Sequence, residues 1–453
     1  MPTLVKLKPY FPTLHIQDFF QYRTIEKLAE KIEKDRQHRM IETNTNALNN
    51  GETQSMQQSK VIRKQSVPLQ LTKHYPQCVL LTGVTGFLGA HILEQLLTLP
   101  NTRIYCLARS QHGESVEQKV IGKMKFYFDE STLEQMKHRV QVIEGNLSEK
   151  HVGLTAEMKE TLLRHIDTII HCGGDVRHYG DRDHFQKVNV ASTRYLLQMS
   201  KKAGARFHYI STVSIAGHRL DDSASFMFSE QDFDRGQQVD NVYVESKFLA
   251  EKLVRKAMTE GVSATVYRVG NLVGRTQDGK FQQNIGGNAF YRLIKALFLL
   301  QKAPDLSTHI DLVPIDFGSK AIVGLACIEE SKGETFHICN PIQLGWKQFI
   351  SYLQQTGYLI EIVKGTEFMN LFTNHTLTEE QMHALEMLLP VFEESDQYVE
   401  AIINSQHTEE FLKALNITCE QPNQEWMSTC ISYGERMGFF PKKSLSLLTH
   451  SYR

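Results

Sequence analysis

Tyr243 and Lys247 stand four residues apart in "NVYVESKFLAEKLV". On a helix that spacing puts both side chains on one face. A free tyrosine, with a pKa of about 10, is a poor acid–base group at neutral pH. A nearby ammonium favours the phenolate and lowers that value. The pair is therefore suited to proton transfer at a substrate oxygen, and the lysine can also hold a ribose. Thr212 ends the apolar run in "RFHYISTVSIAGH" and is the candidate third polar group. Its hydroxyl can donate to a substrate oxygen as negative charge builds there. Ser211 and Ser214 are the neighbours that a one-residue shift would substitute.

A second constellation lies far upstream. Gly83, Gly86 and Gly89 follow the apolar run "CVLLT" at G-x-x-G-x-x-G spacing, with Thr85, Phe87 and Leu88 between them. The glycines serve a tight turn, close approach of a pyrophosphate and close packing of the next helix, whose N-terminus supplies N–H groups to phosphate. These six residues are candidate dinucleotide contacts. Binding the free ribose hydroxyl of NAD usually takes an acid at the end of the second strand. Here "YCLARS" places Arg109 there, and Lys119 follows ten residues on. Both suit a 2′-phosphate, so the expected cofactor is NADPH. "IIHCGGDV" brings His171, Cys172, Gly173 and Gly174 to the end of another strand, where small residues let the nicotinamide half approach. His171 reads as structural. Cys172 has no evident base beside it, which argues against a thiol nucleophile. Asn189, in "VNVASTRYLL", is expected mid-helix, bracing the site through backbone contacts.

These residues need a scaffold. Apolar runs such as "RIYCLAR", "VQVIEGNL", "IDTIIHCGG", "SATVYRVGN" and "ETFHICNP" alternate with helical stretches. That pattern predicts a Rossmann-type doubly wound parallel sheet with crossover helices. The sequence divides into four parts: a short helical module over 1–33, a polar linker over 34–75, a nucleotide-binding domain over 76–340, and a smaller, mainly helical substrate domain over 341–453. Residues 275–300 are expected on the substrate side. The glycine-rich stretch Gly274–Asn288 is expected to be a mobile loop over the site.

Composition narrows the class. Across 453 residues, 50 basic side chains meet 51 acidic ones, for a net charge of −1. That gives no electrostatic footprint for nucleic acid or an anionic membrane. The seven cysteines are scattered without a close pair, which argues against a zinc site or a disulfide framework. No metal is expected. The longest aliphatic run, "LIKALFLL", holds a lysine and is too short to span a bilayer. A signal peptide is not evident, so the expected location is the cytoplasm.

Several of these motifs, in this order, resemble the terminal thioester reductase domains of nonribosomal peptide synthetases, within the extended short-chain dehydrogenase/reductases. The resemblance rests on "LLTGVTGFLGAHILEQLL", "IIHCGGDV", "NVASTRYLL", "HYISTVSI", "YVESKFLAEKLV" and "YRVGNLVGRTQDGKFQQN". It implies reductive release of a carrier-bound peptidyl or acyl thioester as an aldehyde, with further reduction to an alcohol left open. Thr212, Tyr243 and Lys247 would be catalytic. The opening stretch "FPTLHIQDFFQYRTIEKLAEKI" is similar to the last helices of a peptidyl carrier domain. The implied partner is an upstream carrier with a phosphopantetheine-bound acyl substrate, and the reductase is expected to be monomeric. The family's phosphopantetheine serine motif is absent, so the chain is expected to begin inside the carrier. Where the family often has an acid after the third strand, this chain has Asn146, followed by Leu147. Its amide can accept from adenine, with altered contact. The alternatives are a nucleotide-sugar epimerase or dehydratase, a redox-inactive cyclising release domain, and a non-enzymatic cofactor-sensing module.

Overall fold

The computed structural model describes residues 69–110, 113–177, 180–219, 226–239, 241–373, 377–385 and 399–443, together with 29 and 31–33. The chain divides into two units, Met1–Leu69 and Gln70–Arg453. Of the first, 29 and 31–33 are helical. The rest of the carrier-like module, and the expected linker up to 68, lie outside the described residues. The second unit starts inside the stretch read as linker. There the His74 N–H donates to the Cys327 carbonyl at 2.8 Å, and Lys73 forms an antiparallel bridge with Ile328.

The second unit is built on seven parallel strands. They are β1 (Cys78–Thr82), β2 (Arg103–Ala108), β3 (Val140–Glu144), β4 (Thr168–His171), β5 (Arg206–Thr212), β6 (Ala264–Val269) and β7 (Thr335–Ile338). Their order across the sheet is β7-β6-β5-β4-β1-β2-β3, and every neighbouring pair is parallel. β1, β4, β5, β6 and β7 are buried along their whole length. A strand covered on both faces needs a continuous apolar run, not alternation. The chain order reverses between β1 and β4, and ligands bind at the carboxyl ends of strands beside such a switch point.

Helices cover both faces. α1 (Phe87–Leu97) and α2 (Val116–Tyr127) follow β1 and β2, and α3 (Glu130–Arg139) leads into β3. α4 (Ala156–His165), α5 (Ser192–Ala203) and α6 (Val242–Thr259) pack on the opposite face. α7 (Ala289–Leu300) lies outside the sheet layers, while α8 (Ile315–Ala326) packs beside α1.

A separate apolar core forms from Val273, Phe281, Ile285, α7 and Leu312, joined by α9 (Trp346–Gln355) and α11 (Gln424–Arg436). α10 (Gln406–Ala414) does not join it: Phe411 and Leu412 return to the core under the sheet. Packing therefore crosses residue 340 in both directions. Among the described residues, no helix is long and apolar enough to cross a membrane.

Candidate active site at the switch point

The glycine turn is dictated by space. Gly83 has φ +80°, and a Cβ there would sit 2.6 Å from the Gly173 nitrogen. The turns after β1 and β4 thus touch backbone to backbone across the switch point. A Cβ at Gly89 would lie 2.1 Å from the Gly83 carbonyl oxygen, so α1 can seat on the turn only without a side chain there. Gly86 caps α1 and is exposed. No side chain caps this N-terminus, and no acid lies in its first turn. Free N–H groups there are the arrangement that receives phosphate. Leu88 is buried, and Phe87 meets Phe281 edge-on at 5.0 Å between ring centroids. Phe87 therefore carries the turn's packing into the second core.

The turn after β4 is held by one hydrogen-bonded chain. Thr193 donates to the Asn189 carbonyl at 2.6 Å, which leaves its oxygen to accept from His171 Nε2 at 3.1 Å. His171 Nδ1 then accepts from Thr82 Oγ1 at 2.8 Å, and that oxygen accepts the Gly173 N–H at 3.0 Å. The chain requires a neutral His171, in keeping with burial pushing its pKa down to about 3. His171 is structural, as its strand position suggested. Gly173 lies against Leu147, whose Cδ1 would be 2.7 Å from a Cβ at that position.

Asn189 sits in a π turn, Gln186–Ala191, preceding α5. Its Oδ1 accepts the Asp175 N–H at 2.7 Å, and its Nδ2 donates to the Asp175 carbonyl at 2.9 Å and to Ser246 Oγ at 2.8 Å. One side chain therefore ties the β4 turn to α6. A Cβ at Gly174 would come 3.0 Å from Asn189 Oδ1 and 3.5 Å from Lys247 Nζ.

Asn241 caps α6 by accepting the Val244 N–H at 3.0 Å, so Tyr243 falls in the first turn. A hydrogen bond joins the Tyr243 and Thr212 hydroxyls. Thr212 Oγ1 also lies 3.1 Å from Ser214 Oγ. Of the alternatives to Thr212, Ser214 is exposed with its hydroxyl beside that of Thr212, and Ser211 is buried against Glu251. Lys247 is buried, donates to the Ile210 carbonyl at 2.8 Å and lies 5.1 Å from the Tyr209 ring centroid. Burial pushes its pKa down to about 8.

Tyr243 departs from expectation. Burial, opposed by the Thr212 hydrogen bond, pushes its pKa up to about 12, where the sequence suggested a lowered value. The cause is desolvation of a phenolate, which outweighs the help of its neighbours. At neutral pH this tyrosine keeps its proton. Cys172 is likewise pushed up to about 12 by burial, against the pull of Lys247, so it is a thiol and no nucleophile.

Arg109, Ser110, Glu144, Gly145, Asn146 and Glu149 line a cavity of about 500 Å³ at the ends of β2 and β3. Lys119 Nζ donates to the Arg109 carbonyl at 3.2 Å, which brings its ammonium to the Arg109 backbone. Asn146 does not offer a free amide. Its oxygen accepts from Ser148 N at 3.1 Å and Ser148 Oγ at 2.9 Å, and its nitrogen donates to Glu149. Glu144 was not anticipated; it accepts from Ser110 Oγ at 2.5 Å and puts a carboxylate beside Arg109. The uncapped helix start at one end and this roomy polar cavity at the other fit a dinucleotide.

The stretch Gly274–Asn288 is not free to swing. Arg275 donates to Asp278 and to the Tyr127 carbonyl, Thr276 donates to Asp316 at 2.6 Å, and Lys123 donates to Gln283 at 2.8 Å. Phe281 is buried and stacks on Tyr291 at 4.0 Å. The loop is a bolted bridge between the two cores. Its glycines suggested mobility, but Gly274 and Gly279 are there because Cβ atoms would strike backbone at 2.4 Å and 2.3 Å.

A seven-stranded parallel sheet with a glycine turn, a Tyr–Lys pair and a strand-end threonine defines an extended short-chain dehydrogenase/reductase, a nicotinamide-dependent oxidoreductase. More particularly, the chain belongs to the NAD-binding family described as male sterility protein, which matches residues 81–322. It is 30% identical over 296 residues to a linear gramicidin synthase of Brevibacillus parabrevis, covering 65% of this chain and 6% of that protein. It is 24% identical over 468 residues to the large subunit of the L-2-aminoadipate reductase from Candida glabrata, covering 94% of this chain and 33% of that protein. The chain thus spans a third or less of these relatives. Among solved structures, the terminal R domain of the myxalamid PKS-NRPS pathway superposes with a TM-score of 0.71 at 26% identity, over 82% of this chain and 93% of that one. A thiolation–reductase di-domain from an archaeal nonribosomal peptide synthetase gives 0.67 at 28%, with the same coverage.

Proposed function

We propose that this protein releases a peptidyl or acyl chain from a carrier's phosphopantetheine thioester by NADPH-dependent reduction to an aldehyde. The observation that carries the reading is the bonded hydroxyl pair Tyr243–Thr212 with Lys247 beside it, at the switch point of a chain similar to terminal reductase domains. Gly83, Thr85, Gly86, Phe87, Leu88 and Gly89 would hold the pyrophosphate. Arg109 and Lys119 would hold the 2′-phosphate, Asn146 and Leu147 would flank adenine, and Gly173, Asn189, Tyr243 and Lys247 would hold the nicotinamide half. Bound NADPH supplies the hydride that adds to the thioester carbonyl. Thr212 and Tyr243 donate hydrogen bonds to that oxygen as it becomes negative. Tyr243 then gives it a proton, and the resulting hemithioacetal breaks its C–S bond to yield aldehyde and free thiol. Lys247 keeps positive charge beside the site and reaches the ribose.

The reading places this reaction in the cytoplasm, in a monomeric domain that receives its substrate from an upstream carrier. Residues 1–33 are read as the closing helices of such a carrier. Two likenesses support that: the alignment to aminoadipate reductase covers more of the chain than Gln70–Arg453 alone, and one structural match is a thiolation–reductase di-domain. The nucleotide-sugar reading finds only a shared fold, since a UDP-glucuronic acid 4-epimerase matches at 18% identity.

The deciding experiment follows loss of NADPH absorbance with an acyl-pantetheine thioester and identifies the product by mass. An aldehyde or alcohol formed with stoichiometric NADPH loss supports the reading; bound but unoxidised NADPH across a range of acyl groups overturns it. Cofactor choice has its own test. Arg109→Ala removes a charge-assisted contact of about 1.5–3 kcal/mol, so KM for NADPH should rise about ten- to hundredfold with KM for NADH little changed. Equal effects on both cofactors would remove Arg109 from the 2′-phosphate site.

A further inference from the structure

A charged pair lies inside the molecule, behind the active site. Arg268 on β6 and Glu251 on α6 are both fully buried. A guanidinium has five N–H donors, and all five of Arg268 are used. Nε and Nη2 donate to Glu251 at 3.1 Å and 2.7 Å. The remaining donors go to the Asp232 carbonyl at 2.6 Å, the Ser229 carbonyl at 3.3 Å and His337 Nε2 at 3.1 Å. His337 accepts there, so its Nδ1 donates to the Asn404 carbonyl at 2.7 Å. Charges this deep are costly to bury, and removing one partner strands the other. Sheet-to-helix packing alone does not call for them.

The acceptor side shows what the pair is aimed at. Glu251 Oε2 accepts from Ser211 Oγ at 2.7 Å. Ser211 immediately precedes Thr212 on β5, while Glu251 is one helical turn beyond Lys247 and two beyond Tyr243 on α6. A single carboxylate therefore ties the strand end that presents Thr212 to the helix that presents Tyr243 and Lys247. Arg268 also grips Ser229 and Asp232, in the segment that leads from β5 into α6.

We propose that Glu251 is a positioning residue: held by Arg268, it fixes α6 against the end of β5 and keeps the Lys247 ammonium charged. This rests on the functional reading of Thr212, Tyr243 and Lys247 given above. The described groups facing Lys247 are neutral His171 at the end of β4, the Cys172 thiol in the turn that follows, the Tyr209 ring from β5, and Tyr243 and Glu251 from its own helix. Among them Glu251 is the one carboxylate, and it opposes the burial that pulls Lys247 down to about 8. Arg255 and Arg268 face Glu251 in turn.

The test compares wild type with Glu251→Gln, Glu251→Asp and Ser211→Ala. NADPH binding, read by cofactor fluorescence across pH, reports Lys247 ionisation without turnover. Wild-type affinity is expected to fall as pH rises through about 8. Glu251→Gln should move that fall to lower pH and reduce kcat at pH 7 about tenfold or more. Glu251→Asp should restore the pH limit, because the charge returns, with kcat only partly recovered. Ser211→Ala keeps the charge and loses the tie to β5, so kcat should drop several-fold with the pH limit unmoved. It also carries the test if Glu251→Gln fails to fold. A folded Glu251→Gln with wild-type pH limit and kcat overturns the role, as does a Ser211→Ala enzyme with unchanged kcat. A wild type that never binds NADPH overturns instead the functional reading beneath it.

Discussion

Tyr243→Phe should lower kcat for thioester reduction by about a hundred- to ten-thousandfold, the usual worth of a positioned general acid, and leave NADPH binding within a few-fold of wild type. The ring stays, so α6 keeps its packing and Lys247 its place. What goes is the hydroxyl bonded to Thr212, and with it the proton for the alkoxide. In the proposed reaction this is a donor's role. With burial pushing Tyr243 up to about 12, the phenol keeps its proton at neutral pH. Hydride addition to a carbonyl needs a proton supplied, not removed, so no phenolate has to be prepared. Single-turnover rates and equilibrium binding measured on one preparation separate chemistry from affinity. A mutant with wild-type kcat would show that water or Thr212 delivers the proton.

The sequence carried much of this site because its parts are local. A glycine turn, an i,i+4 pair and a strand-end threonine are each readable within a dozen residues, and parallel strands announce themselves as unbroken apolar runs. What it did not carry was competition between distant groups. The lysine beside Tyr243 suggested a lowered pKa, but desolvation, which depends on everything packed around the ring, outweighs it. Asn146 looked free to meet adenine, yet Ser148 and Glu149 hold its amide. The Gly274–Asn288 stretch looked mobile because glycine is permissive; the contacts that bolt it come from residues up to about 160 positions away.

Glu251 and Arg268 were legible in part. Arg268 interrupts the buried run "ATVYRV", and a charge in such a strand must be paired inside. Glu251 continues the Tyr243–Lys247 face by one more turn. Only the fold shows that the two meet, and that Ser211 joins them. Likewise, the boundary drawn at residue 340 followed a change in composition, whereas α10 returns to the first core through Phe411 and Leu412.

Gly89→Ala should be the most disruptive single-methyl change in the site. The added Cβ would lie 2.1 Å from the Gly83 carbonyl oxygen and 2.6 Å from its carbon, and neither is the end of a flexible side chain. Either α1 lifts from the turn or the turn moves toward Gly173, which is already in contact with it. Overpacking of this kind costs about 1–3 kcal/mol, and the displaced N–H groups are those expected to meet the pyrophosphate. The expected result is a lowered Tm together with NADPH affinity reduced about a hundredfold, the loss of two or so well-placed hydrogen bonds to a charged group. Gly122→Ala provides the contrast. It lies inside α2, where an added Cβ meets nothing within 4 Å. There alanine should stabilise by about 0.5–1 kcal/mol through helix preference and leave cofactor binding unchanged. If Gly89→Ala binds NADPH as wild type does, α1 is not seated against the turn as tightly as the geometry requires. The helix start would then lose its claim to the phosphate.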